Sequence, residues 1–305
     1  MRVLIVASGN SSEVSPFVKE QADSLRKLDC TVDYFLIEGK GIFGYLKNYF
    51  LLKRTLKKSK RYDLIHAHYG LSGLLAALQS FSPVVITFHG SDVNLSIRNY
   101  LLSLFASRLA DANIFVHPNL SKSLKYYSDQ AHIIPCGVDL DLFKPISKAG
   151  ARDKLGLDHR SIYVLFSSSF DNKIKNASLA KLALKHIDNI TLIELKNYSR
   201  REVSLLLNAV DLLLVTSHSE TGPLIVKEAL ACNCPLISTD VGDVKTLIAG
   251  TKNCFITTYD AENIARKIDF ILKSDRMSNG RDTVKHLGLD IIGKRVLNIY
   301  KRVLV

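Results

Sequence analysis

Short runs of apolar residues, each followed by a stretch of helical periodicity, recur along this chain, pause once, and then recur again. Strands are expected over 3–7, 31–37, 64–67, 84–88, 112–116 and 133–135, separated by helices over 17–28, 73–79 and 97–110 and by a basic helix before residue 64. Strands that are apolar without alternation are those buried on both faces, and parallel neighbours need a crossover long enough to hold a helix. The segment 144–160 is polar, holds Pro145, Gly150 and Gly156, and is expected to be a linker. After it, strands over 163–166, 191–194, 211–215, 235–238 and 254–256 alternate with helices over 176–186, 199–209, 224–231 and 261–272. An amphipathic stretch over 291–304 closes the chain. The expectation is two doubly wound α/β domains, 1–145 and 160–287, with 288–305 as a C-terminal helix packing back toward the first. Ligands of such sheets bind at the carboxyl ends of the strands.

The chain has 305 residues, 47% hydrophobic and 23% charged, which suits two globular domains and excludes a disordered or collagen-like protein. No Asp, Glu, Lys or Arg stands between Asp63 and Asp92, yet His66, His68, Gln79, Pro83 and His89 interrupt that stretch. It therefore reads as strand, helix and strand, since a spanning helix needs ~20 mostly apolar residues in a row. The five apolar residues from Val3 are too few for a signal-peptide core and read as a first strand. Five cysteines, Cys30, Cys136, Cys232, Cys234 and Cys254, are odd in number and lie in apolar runs without metal-ligand spacing. Buried free thiols in a reducing cytoplasm fit them best.

The formal net charge is +12, and one window concentrates it. Lys40, Lys47, Lys53, Arg54, Lys57, Lys58, Lys60 and Arg61 lie between Glu38 and Asp63 with no acid among them, interleaved with Ile42, Phe43, Tyr45, Leu46, Tyr49, Phe50, Leu51, Leu52 and Leu56. Two readings stay open from sequence: a helix lying on an anionic membrane surface, or a solvated face whose apolar side packs on its own domain. No nucleic-acid motif accompanies the charge, so no nucleic-acid partner is expected.

The segment richest in chemistry is Ser217-His-Ser-Glu220-Thr-Gly222-Pro223-Leu224-Ile-Val-Lys-Glu228. A strand ends, a short loop carries Glu220, and Gly222-Pro223 opens a helix, a start at which proline loses nothing and free N–H groups favour phosphate. Carboxylates at 220 and 228 can each accept from hydroxyls on different parts of one ligand. The plainer alternative makes Glu220 a helix cap and Glu228 a surface residue. The run through Asp240 and Asp243 resembles the donor-binding signature of family 4 retaining glycosyltransferases, which have the GT-B fold, two Rossmann-like domains facing across a cleft. Three further stretches resemble the same family in the same order: Asp63-Leu-Ile-His66-Ala-His68-Tyr69-Gly70, Thr87-Phe-His89-Gly90-Ser-Asp92, and Ile134-Pro135-Cys-Gly137-Val138-Asp139.

The resemblance implies Glu220 on the hydroxyls of the transferred sugar, Glu228 on the nucleotide ribose, the amides around Gly222, Pro223 and Leu224 near the donor, and His89 reaching the sugar. It also implies a lysine and an arginine clamping the donor diphosphate. Lys175 (or Lys173) can serve as the lysine, but the arginine position falls on Ser169, one hydroxyl in place of a charged five-donor fork. Gly9-Asn10 in the first loop is a reduced form of the family's paired glycines and faces the acceptor side. The expected activity is retaining transfer from a nucleotide sugar to a hydroxyl acceptor, a glycan or lipid-linked oligosaccharide, at the inner face of a membrane. His89, Lys175 and Glu220 would carry the catalysis, with no metal and no cofactor. Two other classes are weighed beside it. A nicotinamide oxidoreductase would need Gly-x-Gly-x-x-Gly after an early strand, which Ala7-Ser-Gly9-Asn-Ser-Ser does not supply. A non-catalytic relative binding a nucleotide or glycan as a partner subunit would fit the missing arginine.

Overall fold

The computed structural model describes the chain except residues 10–13, 40, 59–61, 95, 126–130 and 186. It divides into two units, Met1–Gly137 with Leu289–Val305, and Val138–Gly288.

The first unit is built on β1 (Arg2–Ser8), β2 (Thr31–Ile37), β3 (Leu64–His68), β4 (Val84–Phe88), β5 (Ala112–Phe115) and β6 (Ala131–Ile133). All pairs are parallel, in the order β2-β1-β3-β4-β5-β6. Val3 sits beside Val32 on one side and Leu64 on the other, so β1 is central and its residues Val3 to Ala7 are all buried. Leu4 and Val6 share one apolar cluster with Leu52 and Leu56 of helix Gly41–Lys58, Leu75 of helix Gly70–Ala77 and Ala106 of helix Ile97–Leu109. These three helices therefore cover one face of the sheet. Ile65 and Ala67 belong to that cluster, so His66 and His68, alternating with them, point to the opposite face. There the chain's last helix, Leu289–Val303, brings the buried Tyr300 hydroxyl within 2.6 Å of His66 Nδ1. It also packs on helix Pro16–Arg26 so closely that a Cβ on Gly293 would lie 2.8 Å from Ser24 Oγ.

The second unit has β7 (Ile162–Phe166), β8 (Ile190–Glu194), β9 (Leu212–Val215), β10 (Leu236–Thr239) and β11 (Cys254–Thr257), parallel in the order β11-β10-β9-β7-β8. The order of each sheet reverses at its first strand, between β1 and β3 and between β7 and β9. Such reversals open a crevice at the strand ends.

The expected linker is not one. Within 144–160, Ser147 caps helix Lys148–Leu155 through the Gly150 amide, and Gly156 closes it at φ +66°. The segment reads as polar because its cations are used internally. Lys148 and Arg152 reach the fully buried Asp211 at 2.6 and 3.1 Å, and Arg152 also donates to the Ala209 carbonyl. Cys30, Cys232, Cys234 and Cys254 are buried free thiols, while Cys136 is half-buried. Among the described residues no helix is long and apolar enough to cross a membrane.

Candidate active site

In the second unit the loops after β7 and β9 meet at the switch point. The turn Lys173–Lys175 that follows β7, with Asn176 after it, is fastened to the end of β9 by three hydrogen bonds from two groups. Thr216 Oγ1 donates to the carbonyls of Lys175 and Asn176, both at 2.9 Å, and the His218 amide donates to Ile174 at 2.8 Å. This stitching aims Lys175 at Glu220, and the two form an ion pair through Glu220 Oε1. Ser217 Oγ donates to the same oxygen at 2.8 Å. The Ser217 carbonyl in turn accepts from Thr239 at the end of β10 and from the Tyr259 hydroxyl. Glu220 is thus held over the strand ends, half-buried, and does not cap helix Leu224–Ala231, whose first turn carries no side-chain cap. Gly222 and Leu224 supply the amides at this helix start, Pro223 having none, while the Val226 amide turns back to the Pro223 carbonyl at 3.1 Å.

Glu228 is no surface residue. It is buried within that helix and takes 2.6 Å contact from Arg200, whose guanidinium lies 4.7 Å over the buried Phe143 ring. Its carboxylate is therefore separate from the Lys175–Glu220 pair. Ser169, at the position expected for an arginine, turns to the end of β8, where Glu194 Oε1 accepts from its hydroxyl at 2.9 Å and from the Phe170 amide at 2.6 Å. Lys173 is exposed on its turn. Two residues were missed by sequence reasoning. Lys227, its side chain buried, pairs with Asp243 Oδ2 at 3.4 Å, and a Cβ on Gly222 would stand 3.6 Å from its Nζ. Asp243 Oδ1 is buried with no hydrogen-bond partner among the described residues. The signal was present: a lysine inside the apolar run Leu224-Ile-Val-Lys-Glu-Ala-Leu has to find a partner once buried. Gly242 brings Asp243 there in a left-handed turn (φ +57°) so tight that a Cβ would lie 2.7 Å from the Thr221 carbonyl oxygen.

In the first unit His89 follows β4. Its ring lies 4.7 Å from both Phe17 and Tyr69 and stacks on His68 at 5.3 Å. His89 Nε2 bonds His68 Nδ1 at 3.0 Å, and Nδ1 faces Cys136 Sγ at 3.8 Å. His66 is held between Thr87 Oγ1 and Tyr300. Burial depresses all three pKa values, His68 to about 3, and neighbouring rings further disfavour charge on His66 and His89, so the cluster is neutral. Asp92 accepts from the amides of Gly70, His89 and Gly90, while burial pushes its pKa up to about 6. It borders a cavity of about 210 Å³ at the ends of β1, β3 and β4, shared by Ser8, Tyr45, Tyr69, Ser91 and Asn99. Gly9 is buried beside it in sequence, its amide on the Ile37 carbonyl, whereas Asn10 lies outside the described residues.

Paired doubly wound sheets with ligand-type loops at both switch points define a GT-B protein, and comparison with known proteins agrees. Over 99% of this chain and 98% of the other, the structure superposes on sucrose-phosphate synthase from Thermosynechococcus elongatus with a TM-score of 0.83 at 20% identity. Anabaena HepE, solved with UDP, gives 0.78 at 16% identity, covering 99% of this chain and 100% of that one. The sequence profile of Glycosyltransferase Family 4 matches residues 3–142 and that of Glycosyl transferases group 1 matches 179–283. The chain belongs to this glycosyltransferase family. TuaC of Bacillus subtilis, named for teichuronic acid biosynthesis, is 30% identical over 247 residues, which are 70% of this chain and 63% of TuaC. The chain thus spans less than two thirds of that relative's length.

Proposed function

We propose that the chain is a glycosyltransferase that moves a sugar, with retention, from a nucleoside diphosphate donor to a hydroxyl acceptor. The observation that carries this reading is the Glu220 carboxylate fixed by Lys175 and Ser217 beside the start of helix Leu224–Ala231, which no side chain caps. Breaking the bond to the anomeric carbon passes through an oxocarbenium-like state and leaves negative charge on the diphosphate. Lys175 and the first-turn amides meet that charge, and Lys227 behind Gly222 supplies a second cation on the same side. These donors take over from the arginine replaced by Ser169, and the reading needs no metal. Glu220 then exchanges Lys175 for sugar hydroxyls, and Glu228, with Arg200 behind it, accepts from the ribose. Of the two His89 nitrogens, Nε2 is committed to His68 and Nδ1 has only a weak thiol contact, so Nδ1 is the one able to bond a ligand hydroxyl.

The hydroxyl-rich cavity beside Asp92 suits a polyhydroxylated acceptor. TuaC is named for teichuronic acid biosynthesis and HepE is solved with UDP and with UDP-glucose, which supports a uridine donor and a glycan or lipid-linked acceptor. Calorimetric titration of nucleoside diphosphates, run beside an assay for diphosphate release from sugar nucleotides in the presence of chelator, tests this. Micromolar binding with turnover is expected. Binding with no turnover on any donor and lipid-linked acceptor would make the chain a non-catalytic binding subunit.

A further inference from the structure

Helix Ile97–Leu109 carries large apolar side chains on two sides, and Tyr100 and Leu104 are the ones packed, part-buried, against the core. Its buried positions hold Ser103, Ala106 and Ser107, while Ile97, Leu101, Phe105 and Leu109, spaced four apart, form a ladder on the outer side. Ile97 is 74% exposed, Phe105 55% and Leu101 54%. A soluble helix ordinarily has one apolar side, turned inward, whereas this one has a second apolar row facing outward and buries two serines. On the same face of the sheet, helix Gly41–Lys58 exposes Leu46, Phe50 (67%) and Leu51. Its Tyr49 hydroxyl donates to Leu78 at the end of helix Gly70–Ala77, and Leu78 is itself an exposed leucine. None of the three helices carries an Asp or Glu, whereas the outer two carry seven cations, Lys47, Lys53, Arg54, Lys57, Lys58, Arg98 and Arg108. From residue 39 to 110 the only carboxylates are Asp63, at the opposite end of β3, and the buried Asp92.

We infer that this face, and the ladder on helix Ile97–Leu109 in particular, is the surface through which the protein lies on an anionic lipid bilayer. Large apolar side chains without carboxylates among them lose nothing on entering the acyl boundary, and the flanking lysines and arginines remain at the level of the headgroups. Among the described residues of these three helices there is no carboxylate, so an anionic surface meets only cations and apolar side chains there. The cavity beside Asp92 takes Tyr45 from one of these helices and Asn99 from the other, so a lipid-borne hydroxyl would arrive at the strand ends with its tail on this surface. The inference rests on the lipid-linked acceptor of the proposed function and adds a second helix to the membrane contact weighed from sequence.

The chain has no tryptophan, so single substitutions report locally. Three full-length variants are mixed with phosphatidylglycerol–phosphatidylcholine vesicles: Phe50→Trp, Phe105→Trp, and Phe270→Trp, at an exposed site in the other unit. A blue shift and protection from acrylamide are expected for the first two and not the third, weakened at high salt and absent with pure phosphatidylcholine. The double variant Leu101→Ser/Phe105→Ser should lower vesicle partition at least tenfold while leaving release of nucleoside diphosphate from a soluble sugar nucleotide unchanged. A shift at Phe50→Trp alone would overturn the role of the ladder and leave a one-helix membrane contact standing. No shift at either position would overturn both. A shift at Phe105→Trp that grows with protein concentration in the absence of lipid would identify the ladder as a self-association surface and overturn the inference.

Discussion

The two glutamates of the donor loop do different physical work, and their neighbours show it. Glu228 is buried against Arg200, so removing either partner leaves a charge in a poorly hydrated place. Glu228→Ala is expected to cost about 2–3 kcal/mol, below the range for a fully buried pair because Arg200 is part-exposed, with the double variant Glu228→Ala/Arg200→Ala recovering part of it. Urea unfolding of the two single variants and the double variant measures this coupling. Glu220 and Lys175 keep only 14% and 20% of their side-chain surface exposed, so Glu220→Ala should cost more than a surface pair does, about 1–2 kcal/mol.

At the scale of elements, Asp211 organises the entry to β9. Fully buried, it accepts from Lys148 at 2.6 Å, Arg276 at 3.0 Å, Arg152 at 3.1 Å and the Tyr163 amide at 2.9 Å. Burial alone would raise its pKa, but Lys148, the Tyr163 amide and Arg276 outweigh that and hold it below the ordinary carboxylate value. Its contribution is therefore fully present above that ordinary value and is lost as pH falls through the lowered one. Asp211→Asn strands three cations and should destabilise the second unit by about 3–5 kcal/mol, read as a lower thermal midpoint at pH 7. The same cluster explains what the sequence concealed. Strands were legible from their unbroken apolar runs, as at Val3–Ala7 and Leu212–Val215, because burial on both faces leaves a pattern in the chain. Helix Lys148–Leu155 was not, since its cations serve a partner some sixty residues away and local polarity looks like solvent exposure. Glu220 was visible through its motif. Lys227 was marked only by its place in an apolar run, which calls for a partner without naming Asp243, and Arg200 carried no mark, because its role depends on what folds beside it.

Across the whole molecule, acid should act first on the unit that contains His66, His68 and His89. Each is neutral when folded and binds a proton when unfolded, so the stability is intact above about pH 6.5 and is lost as pH falls, down to about 3 for His68. Each such proton steepens the loss by about 1.4 kcal/mol per pH unit. Urea midpoints for the wild type should drop between pH 7 and 5, and His68→Gln should show a smaller drop.

The decisive measurement is turnover by a folded Glu220→Ala protein, with thermal midpoint and nucleoside diphosphate affinity recorded on the same preparation. Sugar transfer should fall by about 10²-fold or more while both other quantities stay near the wild-type values. Undiminished transfer by that protein would contradict the account at its centre, because the carboxylate over the ends of β7 and β9 would then hold no sugar.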